Sequence, residues 1–194
     1  EISQFFFFFL IFDPQSKEGS RMDMDALADA LNDVELNEKP KYLYHYTDAG
    51  GHTGILDQME IRRSELKYGD CSLGEGVYFT SVPPQTGNIR LMGNNYSDPN
   101  ADPAKVQFYF RIPAEEIYAL GPVQSLEEAL LEKLIELVNS NALEGLTDEK
   151  VRQYELLAAR DVYCYKTNKN LDISSLTVQD GERKRFAKSN GKKK

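Results

Sequence analysis

Tyr42-Leu43-Tyr44-His45-Tyr46-Thr47 and, further on, Gly74-Glu75-Gly76-Val77-Tyr78-Phe79-Thr80-Ser81 are the two stretches whose reading decides the fold. Each is short and rich in aromatic and β-branched residues. Turn formers bound them, Pro40 before the first and Pro83-Pro84 after the second, which is the pattern of a strand. One strand carries an imidazole and the other a phenol, and the glycines that lead into the second permit close backbone approach. Together they predict a small-ligand cleft built between two strands. Residue type alone does not establish it, because a histidine or a tyrosine on a strand also serves packing.

Working outward, Thr47 or Asp48 can cap a helix over His52 to Met59 that buries Ile55, Leu56 and Met59. A short strand over Glu60 to Ser64 and a polar loop over Glu65 to Leu73 complete the interval. Upstream, Met24, Leu27, Ala28, Leu31 and Val34 recur at helical spacing, which predicts a helix over 23–35, broken by Asn37 to Lys41. Downstream, residues 85–105 hold four Asn, two Gly and two Pro, and predict a long surface loop. Val106, Phe108, Phe110 and Ile112 then alternate with Gln107, Tyr109 and Arg111, the period of a half-buried strand. Ser125-Leu126-Glu127-Glu128 is a capping box for a helix to about Asn139, and a second helix follows the Gly145 break from Thr147 to about Ala159. Asp161 to Lys166 reads as a strand, and Asn168 to Ser175 as a turn with a short strand.

A chain of 194 residues supports one sizeable core, and 41% hydrophobic with 28% charged residues is an ordinary globular balance. The net charge of −8 is unevenly spread. Arg183, Lys184, Arg185, Lys188 and the three last lysines 192–194 make the final twelve residues basic, leaving 16 basic and 30 acidic residues over 1–181. Such a body repels nucleic acid. The expected organisation is an atypical N-terminal segment over 1–21, one folded domain over 22–181, and a basic, solvated tail over 182–194. The apolar run Phe5 to Phe12 is too short to span a bilayer and has neither a basic lead-in nor a small-residue cleavage site, so no membrane partner is expected. Cys71 and Cys164 match no metal spacing and no disulfide framework, and no metal is expected. A reducing, cytoplasmic setting follows, with a nuclear address in the basic tail or a secreted effector as alternatives.

Tyr44-His45-Tyr46-Thr47, then Gly54-Ile55-Leu56, then Gly74-x-Gly-Val-Tyr-Phe-Thr-Ser resembles the NAD-binding half of the diphtheria-toxin-like ADP-ribosyltransferases. That superfamily includes the poly(ADP-ribose) polymerases and the rifamycin-modifying transferases. More narrowly, the pattern is similar to the toxin-type class named for its His-Tyr-Asp signature. The likeness is detailed from Tyr42 to Ser81 and rests on element order elsewhere. It implies an α+β fold in which a split pair of small, mainly antiparallel sheets surrounds an NAD cleft, with helices outside.

The resemblance also implies roles. His45 hydrogen-bonds a ribose hydroxyl of NAD, the ring of Tyr78 lies on the nicotinamide, and backbone groups near Tyr46 hold the carboxamide. Thr47 and Gly76 complete the NAD-binding set. Polymerase-type members have Gly after the His, where this chain has Tyr46. Cleavage of the nicotinamide-ribose bond also needs a carboxylate beside the ribose to stabilise the positive charge that develops there. By position that acid is Asp161, which opens a late strand much as the catalytic Glu does in polymerase-type enzymes. Asp172 is the alternative, followed by Glu155 and the Glu127-Glu128 pair. Arg62 and Arg63 could approach the pyrophosphate, and the Pro83 to Lys105 loop could cover the cofactor or select the acceptor. Ala159 stands two residues before Asp161, so the Glu-x-Glu arrangement of arginine-directed members is missing.

The function implied is NAD-dependent mono-ADP-ribosyl transfer to an unidentified acceptor, expected to be a protein, or NAD glycohydrolysis when water is the acceptor. Two other readings stand beside it. One is a catalytically inactive NAD or ADP-ribose-binding module, and the other is a plain interaction domain.

Overall fold

The computed structural model describes residues 38–66, 72–140, 142 and 147–184. The helix expected over 23–35, the apolar run, Cys71 and residues 185–194 of the basic tail lie outside them. The described chain is α+β. In order it forms β1 (Tyr42–Thr47), α1 (Ala49–Gln58), β2 (Glu60–Ile61), β3 (Val77–Phe79), α2 (Asn88–Tyr96), a 3-10 turn (Pro103–Val106) and β4 (Phe108–Pro113). Then come α3 (Ala114–Leu120), β5 (Val123–Ser125), α4 (Leu126–Asn139), α5 (Asp148–Ala158), β6 (Tyr163–Tyr165), β7 (Leu171–Asp172) and β8 (Gln179–Glu182).

The strands make two three-stranded sheets, ordered β1-β4-β8 and β3-β6-β5, and a two-stranded sheet of β2 with β7. Each pairing is antiparallel, with His45 opposite Phe110, Tyr78 opposite Cys164 and Phe108 opposite Glu182. The two larger sheets touch through one bridge, where Tyr44 N–H donates to Thr80 O at 2.8 Å and Thr80 N–H to Tyr44 O at 3.0 Å. β1 and β3 therefore begin as neighbours and then diverge, which opens a notch between them.

Alternation along β1 explains how one strand serves two cores. Leu43 packs between the sheets with Val77, Phe79, Phe110, Ile112 and Ile117. Tyr44 and Tyr46, on the other face, pack with Val82, Leu91, Met92 and Val106. A third cluster comes from the apolar stripe of α4, where Leu126, Leu130, Leu134 and Val138 cover Val162 and Cys164. The Ser125 hydroxyl accepts from Glu128 N–H at 3.0 Å while the Glu128 carboxylate accepts from Ser125 N–H at 2.7 Å, so the expected capping box starts α4. The Thr147 hydroxyl caps α5 by a single bond, accepting from Lys150 N–H at 3.3 Å.

Four expectations are revised. Residues 85–105 are not one long loop, because Leu91 and Met92 are fully buried and carry α2 onto β1. The Asn-rich composition misleads there because Asn94 is itself buried and finds its hydrogen-bond partners inside the protein. The helix expected from His52 starts at Ala49, capped by the Asp48 carboxylate on Gly51 N–H. The strands expected over Glu60 to Ser64 and Asp161 to Lys166 shrink to β2 and β6, whereas α3, β5 and β8 carry too little apolar periodicity to be legible.

The fourth revision concerns the boundary at 182. Glu182 lies in β8, and Arg183 is only 6% exposed. Its guanidinium donates through Nε to Pro84 O at 3.0 Å, through Nη1 to Val106 O at 3.0 Å and through Nη2 to Thr86 O at 2.6 Å. The folded part thus extends past 181. Among the described residues no helix is long and apolar enough to cross a membrane.

Candidate functional site

The notch between β1 and β3 is a pocket of about 170 Å³. Its first wall is β1, through Tyr44, His45 and Tyr46, and its second is β3, through Tyr78 to Thr80. Ser64, Ser72, Asn95, Tyr96 and Arg160 contribute the other polar side chains of the lining. Three of the residues singled out from the sequence, His45, Tyr46 and Tyr78, are thereby brought together.

His45 sits where the parted strands leave a carbonyl without a ladder partner, and its Nδ1 lies 3.0 Å from Tyr78 O. A carbonyl only accepts, so Nδ1 carries the proton and Nε2 of the neutral ring is an acceptor. Burial lowers the pKa of His45 below its ordinary value, and the Tyr78 carbonyl opposes this only in part. The ring also meets Phe79 edge-on at 6.1 Å. At neutral pH the residue is an uncharged, oriented imidazole that offers one acceptor nitrogen.

Tyr78 is fixed through its hydroxyl, which accepts from Leu73 N–H at 2.9 Å and donates to Gly74 O at 2.6 Å. Lys166 Nζ donates to Leu73 O and holds the same turn. Gly74 has φ +86° there, a left-handed conformation that favours glycine. The phenol is thus held to the 73–74 backbone, and the ring is what Tyr78 presents. Burial pushes the Tyr46 phenol well above its ordinary pKa, so it stays protonated and donates to Val82 O at 2.8 Å. The Arg183 guanidinium stands 5.8 Å from the centre of the Tyr46 ring.

Other expected site residues lie elsewhere. Gly76 does not border the pocket: its bare face lies against β6, where a Cβ would run into Tyr165 O and Cys164 Sγ. Close approach is needed there, but to the scaffold. Thr47 faces a second cavity of about 360 Å³, lined also by His45, Gly51, Gly54 and Arg62. Arg63 is committed to carboxylates, pairing with Glu75 at 2.9 Å and Glu65 at 3.5 Å, which also gives Glu75 a partner.

Asp161 is absent from the pocket wall although its neighbours Arg160 and Val162 line it. Its Oδ1 accepts from Ser81 N–H at 3.1 Å and its Oδ2 from the Ser81 hydroxyl. Its own N–H donates to Asn94 Oδ1 at 2.6 Å, and Asn94 Nδ2 donates back to Asp161 O at 2.9 Å and to Thr80 Oγ1 at 3.1 Å. This is a strut joining the end of β3, α2 and the approach to β6. The carboxylate borders a third cavity, of about 430 Å³, together with Glu38, Glu127 and Ser125.

The alternative acids are no closer. Asp172 is exposed in β7 and accepts from Ser174 N–H at 2.8 Å, and the Ser174 contacts hold its pKa below the usual value. Glu155 is exposed on α5, and Glu128 is spent on the capping box. Asn95, Tyr96 and Arg160 were missed as site residues, and only the terminal position of Arg160 between a helix and a strand marked it. Among the described residues no group of His, Cys, Asp and Glu side chains gathers to hold a metal ion. No protein-family model, no curated protein and no solved structure matches the chain.

Proposed function

We propose that this protein binds NAD in the notch between β1 and β3 and transfers its ADP-ribose to an acceptor. The observation that carries the reading is the position of His45, which lines both the pocket shared with Tyr46 and Tyr78 and the second cavity bordered by Thr47 and Arg62. A dinucleotide has two ends, and a residue common to two cavities can meet its middle.

In this reading the acceptor nitrogen of His45 takes a hydrogen bond from a ribose hydroxyl, and the Tyr78 ring lies against the flat, cationic nicotinamide. The donor set fits such a ligand, because aromatic faces and hydroxyls dominate the wall and one guanidinium completes it. Transfer breaks the bond between nicotinamide nitrogen and ribose C1′. The bonding pair leaves with nicotinamide, and the acceptor supplies a pair to C1′ while losing its proton. The role left for Asp161 is to steady the charge on the ribose, which requires its carboxylate to turn from Ser81 toward the side of Arg160 and Val162.

That requirement favours a second reading, an NAD or ADP-ribose-binding module without turnover, because both Asp161 oxygens already accept from Ser81. Nicotinamide release, measured beside NAD affinity, separates the two. Transfer predicts release that collapses in His45→Ala and Tyr78→Ala. It also predicts that Asp161→Asn, which keeps an acceptor for Ser81, loses release while retaining affinity. Affinity without release in the wild type selects the binding module, and an absence of NAD binding defeats both.

A further inference from the structure

Ile61 is fully buried and packs with Leu43 and Leu171, so its neighbours in sequence, Glu60 and Arg62, face away from that core. Both border the second cavity, of about 360 Å³, which His45 shares with the notch. Glu60 is half-buried there, and its Oε2 accepts from Asn170 Nδ2 at 3.1 Å. Asn170 is fixed in turn, its Oδ1 accepting from Arg63 N–H at 3.3 Å. One oxygen thus orients the carboxylate, and among the described residues the other, Oε1, has no partner. Arg62 is exposed and forms no ion pair among the described residues.

Another wall of this cavity is α1. Gly51 is required there by the fold, because a Cβ would run into Thr47 Oγ1. Gly54 is different, since a Cβ built on it would meet nothing. A glycine inside a helix is disfavoured relative to alanine, and no packing contact within the chain calls for one at this position. Its effect is to leave room in the cavity that Glu60 borders. An oriented acceptor beside open space suits a ribose, whose two vicinal hydroxyls both donate, better than a phosphate, which brings acceptors and negative charge.

We propose that Glu60 recognises the hydroxyls of the adenosine ribose and thereby selects NAD over NADP, whose 2′-hydroxyl carries a phosphate. This rests on the NAD-binding reading above and adds to it the residue that discriminates between the two dinucleotides. A carboxylate facing a 2′-phosphate sets two negative groups together and loses a donor. Arg62, which borders the same cavity, gives the converse its direction. Once the carboxylate is replaced by a neutral amide, the remaining cation favours the phosphate.

The test is calorimetric titration of wild type, Glu60→Gln and Gly54→Leu with NAD and with NADP. Wild type is expected to bind NAD about tenfold to a hundredfold more tightly than NADP. Glu60→Gln, whose amide oxygen still accepts from Asn170, is expected to lose that preference through weaker NAD and stronger NADP binding. Gly54→Leu, which fills the cavity, is expected to weaken NAD at least about tenfold. A purely structural Glu60 would weaken both dinucleotides alike in Glu60→Gln and leave their ratio unmoved. That result, a wild type that does not prefer NAD, or unchanged NAD affinity in Gly54→Leu overturns the proposal. If wild type binds neither dinucleotide, the NAD reading falls on its own. Adenosine and adenosine 2′-monophosphate then decide for Glu60: a preference for adenosine that Glu60→Gln loses sustains ribose recognition, and equal binding or none refutes it. Should Glu60→Gln fail to fold, the wild-type preference and the Gly54→Leu titration decide the question in the same way.

Discussion

The two sides of the Arg160–Val162 segment use polar residues in opposite ways. On the β1–β3 side, His45 and Tyr78 spend one polar atom each on the backbone, Nδ1 on Tyr78 O and the hydroxyl on the 73–74 turn, and present the rest of their rings to a cavity. On the other side, Asp161 spends both carboxylate oxygens on Ser81 and its main chain on Asn94. The first arrangement orients a group for a visitor, and the second satisfies a group for the fold. The difference lies in which atoms remain after the internal partners are met, and residue type alone does not reveal it.

Substitutions can break or sharpen that contrast. The largest loss of stability is expected for Arg183→Ala, which strips partners from the carbonyls of Pro84, Thr86 and Val106 and should cost about 3 kcal/mol. Urea unfolding at unchanged slope would report it as a lower midpoint. Asp161→Ala comes next. It removes the acceptors of the Ser81 N–H and hydroxyl at a cost of about 2 kcal/mol, with Asp161→Asn recovering much of the loss. An unchanged midpoint in Asp161→Ala would erase the contrast, because the carboxylate would then not be holding the fold.

Tyr78→Phe deletes the bonds to Leu73 and Gly74 and should cost about 1 kcal/mol, while leaving an aromatic face in the pocket. A ligand that stacks on the ring would still bind, and one that needs the hydroxyl would not. The smallest effect is a slope. The native pKa of His45 lies below its ordinary value, so the unfolded chain takes up the proton first as pH falls. The stability tied to the neutral ring is complete above about pH 6.5 and declines as pH drops from there toward the lowered native value. Thermal melts of wild type and His45→Gln should therefore converge in their pH dependence above this point and diverge below it, with the steeper fall in wild type.

How much of this was legible in the sequence depends on whether the signal was local. The capping box at Ser125, the alternation from Phe108 to Ile112 and the aromatic strand β1 are local patterns, and each lies where its residues put it, while Val106, expected in the same strand, falls in the preceding 3-10 turn. The convergence of His45 with Tyr78 was read from the two strands and their glycines, with resemblance adding the roles, and the notch brings them together. Asp161 was placed by its position before a strand, but neighbouring residues face opposite ways, so Arg160 and Val162 reach the pocket while Asp161 reaches Ser81. Gly76 was correctly read as a site of close approach and assigned the wrong neighbour. Arg183 was hidden in a basic run that by composition reads as a solvated tail. Only the three carbonyls that surround it, drawn from Pro84, Thr86 and Val106, identify it as interior.

The clamp made by Arg183 also bears on the order of assembly. Its bonds close chain loops of 77 and 99 residues, whereas the α4 capping box spans three. Long loops lose more chain entropy on closure, so contacts of this kind form late on the way to the native state. Arg183 variants should accordingly unfold faster while refolding at nearly the wild-type rate. The segment from Val82 to Thr86, and with it the placement of Tyr46 and α2 around the notch, would then be the last part of the molecule to settle and the first to come apart.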